Sequence, residues 1–189
     1  MKVLVACEFS AIVRDAFRER GHAAWSCDLL PTEGDPRWHI QGDVLSILND
    51  GWDMMIAHPP CTYLANSGVR WLYEKPGRWE DMRKGAEFFM RLLNAPISRI
   101  CVENPVQHKH CNLPRPAQTV QPWQFGDKES KRICLWLKNL PPLKISQSVK
   151  PEGVAQRVWR MPPGPDRQKE RSRYFKGIAK AKAEQWGAL

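Results

Sequence analysis

Several polar groups with chemistry of their own stand directly after short apolar runs of this chain. Glu8 follows the run from Lys2 to Ala6, and Asp28 follows Ala23 to Cys27. His58-Pro59-Pro60-Cys61 follows Trp52 to Ala57, Glu103-Asn104-Pro105 follows Arg99 to Val102, and Asp43 sits in a Gly-Asp pair between the second and third runs. A thiol can act as a covalent nucleophile and a carboxyl group can give or take a proton. If the runs are strands of one open α/β sheet, these groups gather where such sheets bind ligands, outside the carboxyl ends of the strands. Each has a plainer alternative: Pro-Pro-Cys as a rigid turn over a buried thiol, Glu-Asn as the cap of a following helix.

Among the six cysteines, only Cys61 follows an apolar run into a loop. Cys7, Cys27, Cys101 and Cys134 lie within or beside apolar runs, where a free thiol packs as a small hydrophobe. No CxxC pair occurs, which argues against a disulfide framework or zinc finger. His108-Lys109-His110-Cys111 has metal-ligand residue types but no second ligand cluster, so no metal is expected.

The elements that must position these groups can be read from periodicity. The four runs named above and Lys131 to Leu137 are five candidate strands. Ser10 can cap a helix carrying Val13, Ala16 and Phe17, which ends before Gly21. Glu80 to Leu93 places Met82, Ala86, Phe89, Met90 and Leu93 on one helical face, and a last helix spans about Phe175 to Trp186. Alternating strands and helices predict a doubly wound, mostly parallel α/β sheet. Residues 1–189 are expected to form one domain, with a basic, proline-rich loop region at about 138–173.

The 189 residues suffice for one compact core. Mean hydropathy of −0.52 and the lack of a long uncharged apolar run argue against a membrane span. Acidic Glu8 interrupts the N-terminal apolar run, as expected of a cytoplasmic protein rather than of a signal peptide. The formal charge of +9 favours a polyanionic partner, with nucleic acid the leading class.

The segments Ile56-Ala57-His58-Pro59-Pro60-Cys61 and Val102-Glu103-Asn104-Pro105 resemble, in order and separation, the nucleophile loop and Glu-Asn strand end of the DNA cytosine-5 methyltransferases. The resemblance implies a Rossmann-like, S-adenosylmethionine-dependent methyltransferase fold and methyl transfer to C5 of cytosine in DNA. Cys61 would add to C6, Glu103 would hydrogen-bond or protonate N3, and Asn104 would position the Pro59-Pro60-Cys61 loop. Arg132, in the run resembling the family's late motif, would support Glu103 or bind the base carbonyl. S-adenosyl-L-methionine would lie along Glu8, Phe9, Ser10, Asp28, Leu29, Asp43 and Pro59, with Asp28 on the ribose and Asp43 on the adenine amino group. Phe175-Lys176-Gly177-Ile178-Ala179 is similar to the last motif of the family.

Two departures from that pattern shape the alternatives. The family's Phe-x-Gly-x-Gly loop reads Cys7-Glu8-Phe9-Ser10-Ala11-Ile12 here, without glycine. Only Lys138 to Arg173 occupies the place of its target-recognition lobe, so DNA phosphates would be held by Arg157, Arg160, Arg167, Lys169, Arg171 and Arg173. A flipped base would need a brace, for which Trp159 and Tyr63 are candidates. The aromatic group Tyr63, Trp71, Tyr73 and Trp79 is read either as a lid over the base or as packing against Glu80 to Leu93. A second copy could supply missing surface as a homodimer. The rival functions are methylation of free cytosine nucleotides and a non-catalytic DNA-binding protein on the same scaffold. The short form is similar to members carried by phages, placing the protein in a bacterial or phage-infected cell.

Overall fold

A computed structural model describes residues 1–165 and 167–189; the side chains of Trp159 and Gln168 lie outside the described set. Along the chain come β1 (Lys2–Ala6), α1 (Ile12–Arg18), β2 (Ala23–Asp28), β3 (His39–Gln41), β4 (Met54–Ala57), α2 (Trp71–Glu74), α3 (Arg78–Leu93) and β5 (Arg99–Pro105). Then follow β6 (Gln118–Val120), β7 (Ile133–Lys138), α4 (Arg157–Arg160), α5 (Arg167–Ser172) and α6 (Lys176–Trp186).

The strands form one seven-stranded sheet in the order β3-β2-β1-β4-β5-β7-β6. β1 to β5 run parallel, and β7 is antiparallel to both its neighbours. This is a doubly wound, mostly parallel Rossmann-like α/β sheet, and the order reverses between β1 and β4. Both faces are covered, so the central strands read as continuous apolar runs. Leu4, Ala6, Met55, Ala57, Ile100 and Val102 meet Met82, Phe89 and Leu92 of α3 on one face. Val3, Val5, Met54, Ile56 and Cys101 meet Val13 and Phe17 of α1 and Ile178, Ala183 and Trp186 of α6 on the other. Each of these large apolar side chains contributes roughly 1.5–3 kcal/mol on burial.

The start of α1 differs from expectation. Ser10 does not cap it; the buried Glu8 carboxylate does, accepting from Val13 N at 2.7 Å and Arg14 N at 3.1 Å. An anion on the free N–H groups of a helix start is favoured by both hydrogen bonding and the helix dipole. To bring it there the chain turns through left-handed backbone at Cys7 (φ 58°) and Ala11 (φ 63°), at about 1–2 kcal/mol each for non-glycine residues. Arg14, fully buried, then ties α1 to the β2–β3 connection by donating to the Asp35 carbonyl at 3.0 Å.

β5 is longer than its apolar run, because β7 pairs Glu103 with Leu135, Asn104 with Cys134 and Pro105 with Ile133. Its partner on the other side, β4, stops opposite Val102, so the last three residues of β5 project beyond it. Glu103 and Asn104 are therefore part of the strand rather than the loop that follows it. The outermost strands, β3 and β6, have three residues each and were not among the five expected; neither is long enough to show a period. The region expected as a basic loop contains the short helices α4 and α5. No helix among the described residues is long and apolar enough to cross a membrane.

Candidate active site

The loop after β4 is held from two sides. His58 N continues the parallel pairing by donating to Ala6 O at 2.9 Å, and Asn104 Nδ2 donates to Pro59 O at 2.8 Å. Asn104 is 2% exposed, so this bond bridges the projecting end of β5 to the loop without competition from water. Beyond the thiol, Leu64 N and Ala65 N both donate to Cys61 O, and Asn66 N donates to Val106 O at 2.8 Å. The result is a fixed turn with Cys61 half-buried at its tip.

Cys61 opens onto a cleft of about 330 Å³. The cleft is lined by Ser67, by Pro105 of β5, by Ser130, Lys131 and Arg132 before β7, by Gln156, and by Arg171 of α5. No acidic side chain is part of this lining among the described residues. Cys61 and Arg132 are thus brought together, and Arg171 joins them from the basic segment. Glu103 is not in the lining.

Glu103 instead faces the α6 side of the sheet. Its Oε2 accepts from Lys182 Nζ at 2.7 Å and from the Tyr174 hydroxyl. The lysine is fully buried, and the Glu103 side chain is 10% exposed. Burial by itself would raise the carboxyl, but the Lys182 charge and the two hydrogen bonds outweigh it and hold Glu103 below the usual carboxylate range. Tyr174 is pushed well above the ordinary phenol value by burial and by the Glu103 charge, so it remains the donor. The His58 ring lies 4.7 Å from the Tyr174 ring, and its Nε2 is buried without a partner among the described residues. Burial lowers His58 to about 3, against the pull of the Glu103 charge, so the ring is neutral. The supporting cation expected at Arg132 is therefore Lys182, because Arg132 projects from the start of β7 into the cleft while α6 lies directly against Glu103.

On the other side of the switch point, Asp28 ends β2 and Asp43 follows β3. Burial, and after it the charges of Asp28 and Asp43, raise the Cys7 thiol that follows β1. Each spends one oxygen on a local turn, Asp28 Oδ1 on Leu30 N and Asp43 Oδ1 on Leu45 N, both at 2.9 Å. Leu29 is 73% exposed beside them. Glu8 does not join this group as a free ligand, since both its oxygens are taken by α1; Ser10 Oγ donates to it at 3.4 Å. Phe9 is buried, and its carbonyl accepts from Glu33 N and from Thr32 Oγ1. Pro59, also buried, contributes through its carbonyl bond to Asn104.

The six basic residues expected on phosphate do not behave alike. Arg173 and Lys169 fold back as ion pairs onto Glu33 in the β2–β3 connection, and Arg157 pairs with the buried Glu129 at 3.5 Å. Arg167 Nε donates to Met161 O at 2.8 Å. Arg160 is exposed, and Arg171 alone of the six lines the cleft. The brace candidate Trp159 falls on a side chain outside the described set. Tyr63 lies under the Arg78 guanidinium, 4.3 Å from its ring centre, while Tyr73, Trp79 and His110 pack edge to face, which is the packing alternative rather than a lid. His108 and Cys111 are likewise engaged with each other, the Cys111 Sγ lying 3.4 Å from His108 Nδ1.

Sequence reasoning missed Lys182, Tyr174, His58 and Lys131. For Lys182 a signal existed: it stands four residues from both Ile178 and Trp186, on the apolar face of a helix, where a lysine needs a buried partner. Tyr174 precedes α6 and had no comparable pattern.

No protein-family model matches the chain, and no curated protein matches it. Among solved structures, it is similar to a crystal structure described as a DNA modification methyltransferase encoded within an E. coli prophage. The two are 14% identical with a TM-score of 0.48, over 85% of this chain and 55% of that one. This chain spans little more than half the length of that protein.

Proposed function

We propose that the chain is an S-adenosylmethionine-dependent methyltransferase acting on C5 of cytosine in DNA. The observation that supports it most is the Asn104–Pro59 bond, which fixes Cys61 at the carboxyl edge of the sheet beside a cationic cleft with no acidic side chain in its lining among the described residues. The residues on the other side of the switch point suit the cofactor: Asp28 and Asp43 each have one oxygen without a hydrogen-bond partner among the described residues, open to hydroxyl or amino donors, and Leu29 offers an exposed apolar contact. Glu8 is left out, because its carboxylate is the helix cap.

The chemistry follows from cytosine itself. C5 is a poor nucleophile until a thiolate adds to C6, so Cys61 Sγ forms a bond to C6 and the ring electrons move to N3 and O2. N3 takes the Cys61 thiol proton, relayed by water, since Glu103 is engaged by Lys182 and Tyr174 on the α6 side and is not in the cleft lining. S-adenosylmethionine, when bound, supplies the methyl group. Loss of the C5 proton to water and departure of Cys61 by elimination restore the ring, and the N3 proton returns to the Cys61 thiolate by the same relay.

Transfer of labelled methyl to unmethylated duplex DNA and single-stranded DNA, with Cys61→Ala alongside, tests this reading. Label recovered as 5-methylcytosine and lost in the variant is expected. A variant that still makes 5-methylcytosine would overturn the mechanism. The commitment of Glu8 to α1 favours one rival, a non-catalytic DNA-binding scaffold; stoichiometric S-adenosylmethionine binding by calorimetry counts against it.

A further inference from the structure

We infer that the cleft beside Cys61 is a phosphate-dependent site for a single cytosine nucleotide, with Lys131, Arg132 and Arg171 on the phosphate group. The cytosine in this statement rests on the function proposed above, whereas the phosphate rests on the cleft alone.

The basic side chains of the region are not equivalent, and Arg160 and Arg167 neither form an ion pair among the described residues nor line the cleft. Lys169 and Arg173 pair with Glu33, Arg173 also with Glu170, and Arg157 pairs with Glu129. Lys131, Arg132 and Arg171 form no ion pair among the described residues, and all three converge on the one cleft. The Lys131 ammonium lies 5.6 Å from the centre of the Phe175 ring. Three cations held together without an acid repel one another, and a phosphate relieves this with charge-assisted bonds, bidentate from the guanidinium groups. The hydroxyl groups of Ser67 and Ser130 on the same wall add neutral donors.

Size limits the occupant. A volume of about 330 Å³ is at the low end for small-molecule sites, which suits one nucleotide rather than a duplex segment. Arg171 comes from α5, within the short connection that stands in place of a recognition lobe, so the phosphate grip is built from the catalytic sheet and that connection together. A free cytidine monophosphate and a nucleotide turned out of a strand offer the same chemistry.

The test is calorimetric binding, without S-adenosylmethionine, of deoxycytidine, dCMP and a five-residue single-stranded oligonucleotide with one central cytosine. Each is compared between the wild type and Arg132→Ala/Arg171→Ala, whose two sites lie at the cleft rather than in the core. Binding of dCMP or of the oligonucleotide at least tenfold tighter than deoxycytidine, with tenfold loss in the double variant, is expected. Which of the two binds identifies the source of the phosphate. Equal binding of deoxycytidine and dCMP, unchanged nucleotide binding in the variant, or no binding of either nucleotide overturns the site. Since no methyl transfer is involved, a chain that binds dCMP in this way yet makes no 5-methylcytosine fails the functional reading and keeps the phosphate site.

Discussion

The ammonium of Lys182 lies 2.7 Å from Glu103 Oε2, joining the middle of α6 to the projecting end of β5 through an ion pair whose lysine is fully buried. A pair of this kind is costly to half-remove, because the remaining charge is stranded away from water. Lys182→Met is expected to lower stability by about 3–5 kcal/mol, read as a fall in the urea midpoint. The double variant Glu103→Gln/Lys182→Met should recover most of the loss. A double variant as unstable as the single one would show that the pair is not the origin of the effect.

Acidification should bring two opposing contributions into view. His58 is lowered to about 3 by burial, so the unfolded chain binds its proton first and stability falls as pH drops below 6.5. Glu8 is raised to about 7 by burial, against its helix-start hydrogen bonds, so the folded chain binds its proton first and stability rises as pH drops from 7 toward 4.5. Each is worth about 1.4 kcal/mol per pH unit, and between pH 6.5 and 4.5 they cancel. His58→Asn should therefore gain stability across that window, and Glu8→Gln should lose it. Denaturant midpoints at four pH values decide the signs.

Asn104→Ala removes the one side-chain bond that holds the Pro59 carbonyl. Displacing Cys61 by about 1 Å is enough to cost on the order of 10²-fold in rate. The expected outcome is a fall of that size in kcat/KM for methyl transfer, with S-adenosylmethionine affinity within twofold of the wild type. Cofactor binding that falls in parallel would instead mark Asn104 as general scaffolding.

Gly177, at the start of α6, sits where a Cβ would come within 2.1 Å of the Phe125 carbonyl oxygen, and its N–H donates to Asp127 Oδ2 at 3.0 Å. Gly177→Ala must push α6 away from that turn. A loss of at least about 2 kcal/mol in thermal or urea unfolding is expected. Gly42→Ala, where a Cβ meets nothing within 4 Å, is the control and should lie within about 0.5 kcal/mol of the wild type.

The central fold was legible because its signals are strong and local. The runs around Val3, Trp25, Ile56 and Ile100 are apolar on both faces, and α3 repeats its apolar side chains at helical spacing. Glu103 and Asn104 were visible as a pair but not as strand residues, since only the antiparallel neighbour β7 extends β5 that far. The helix start at Ser10 was misread for a similar reason: Ser10 has the local capping signature, but the buried Glu8 takes the N–H groups of Val13 and Arg14 with its two carboxyl oxygens. Charge alone could not separate Arg171 in the cleft from Arg173 on Glu33, two residues away, because the sorting depends on where the β2–β3 connection lies.

The two outer strands, His39–Gln41 and Gln118–Val120, have three residues each. Such short borders offer few open backbone groups for another chain to pair with, which is one way proteins resist edge-to-edge aggregation. A second copy of this chain would find little sheet to extend. Self-association would have to use side-chain surfaces, where the charge of +9 makes copies repel and ties any pairing to salt concentration or to a shared polyanion.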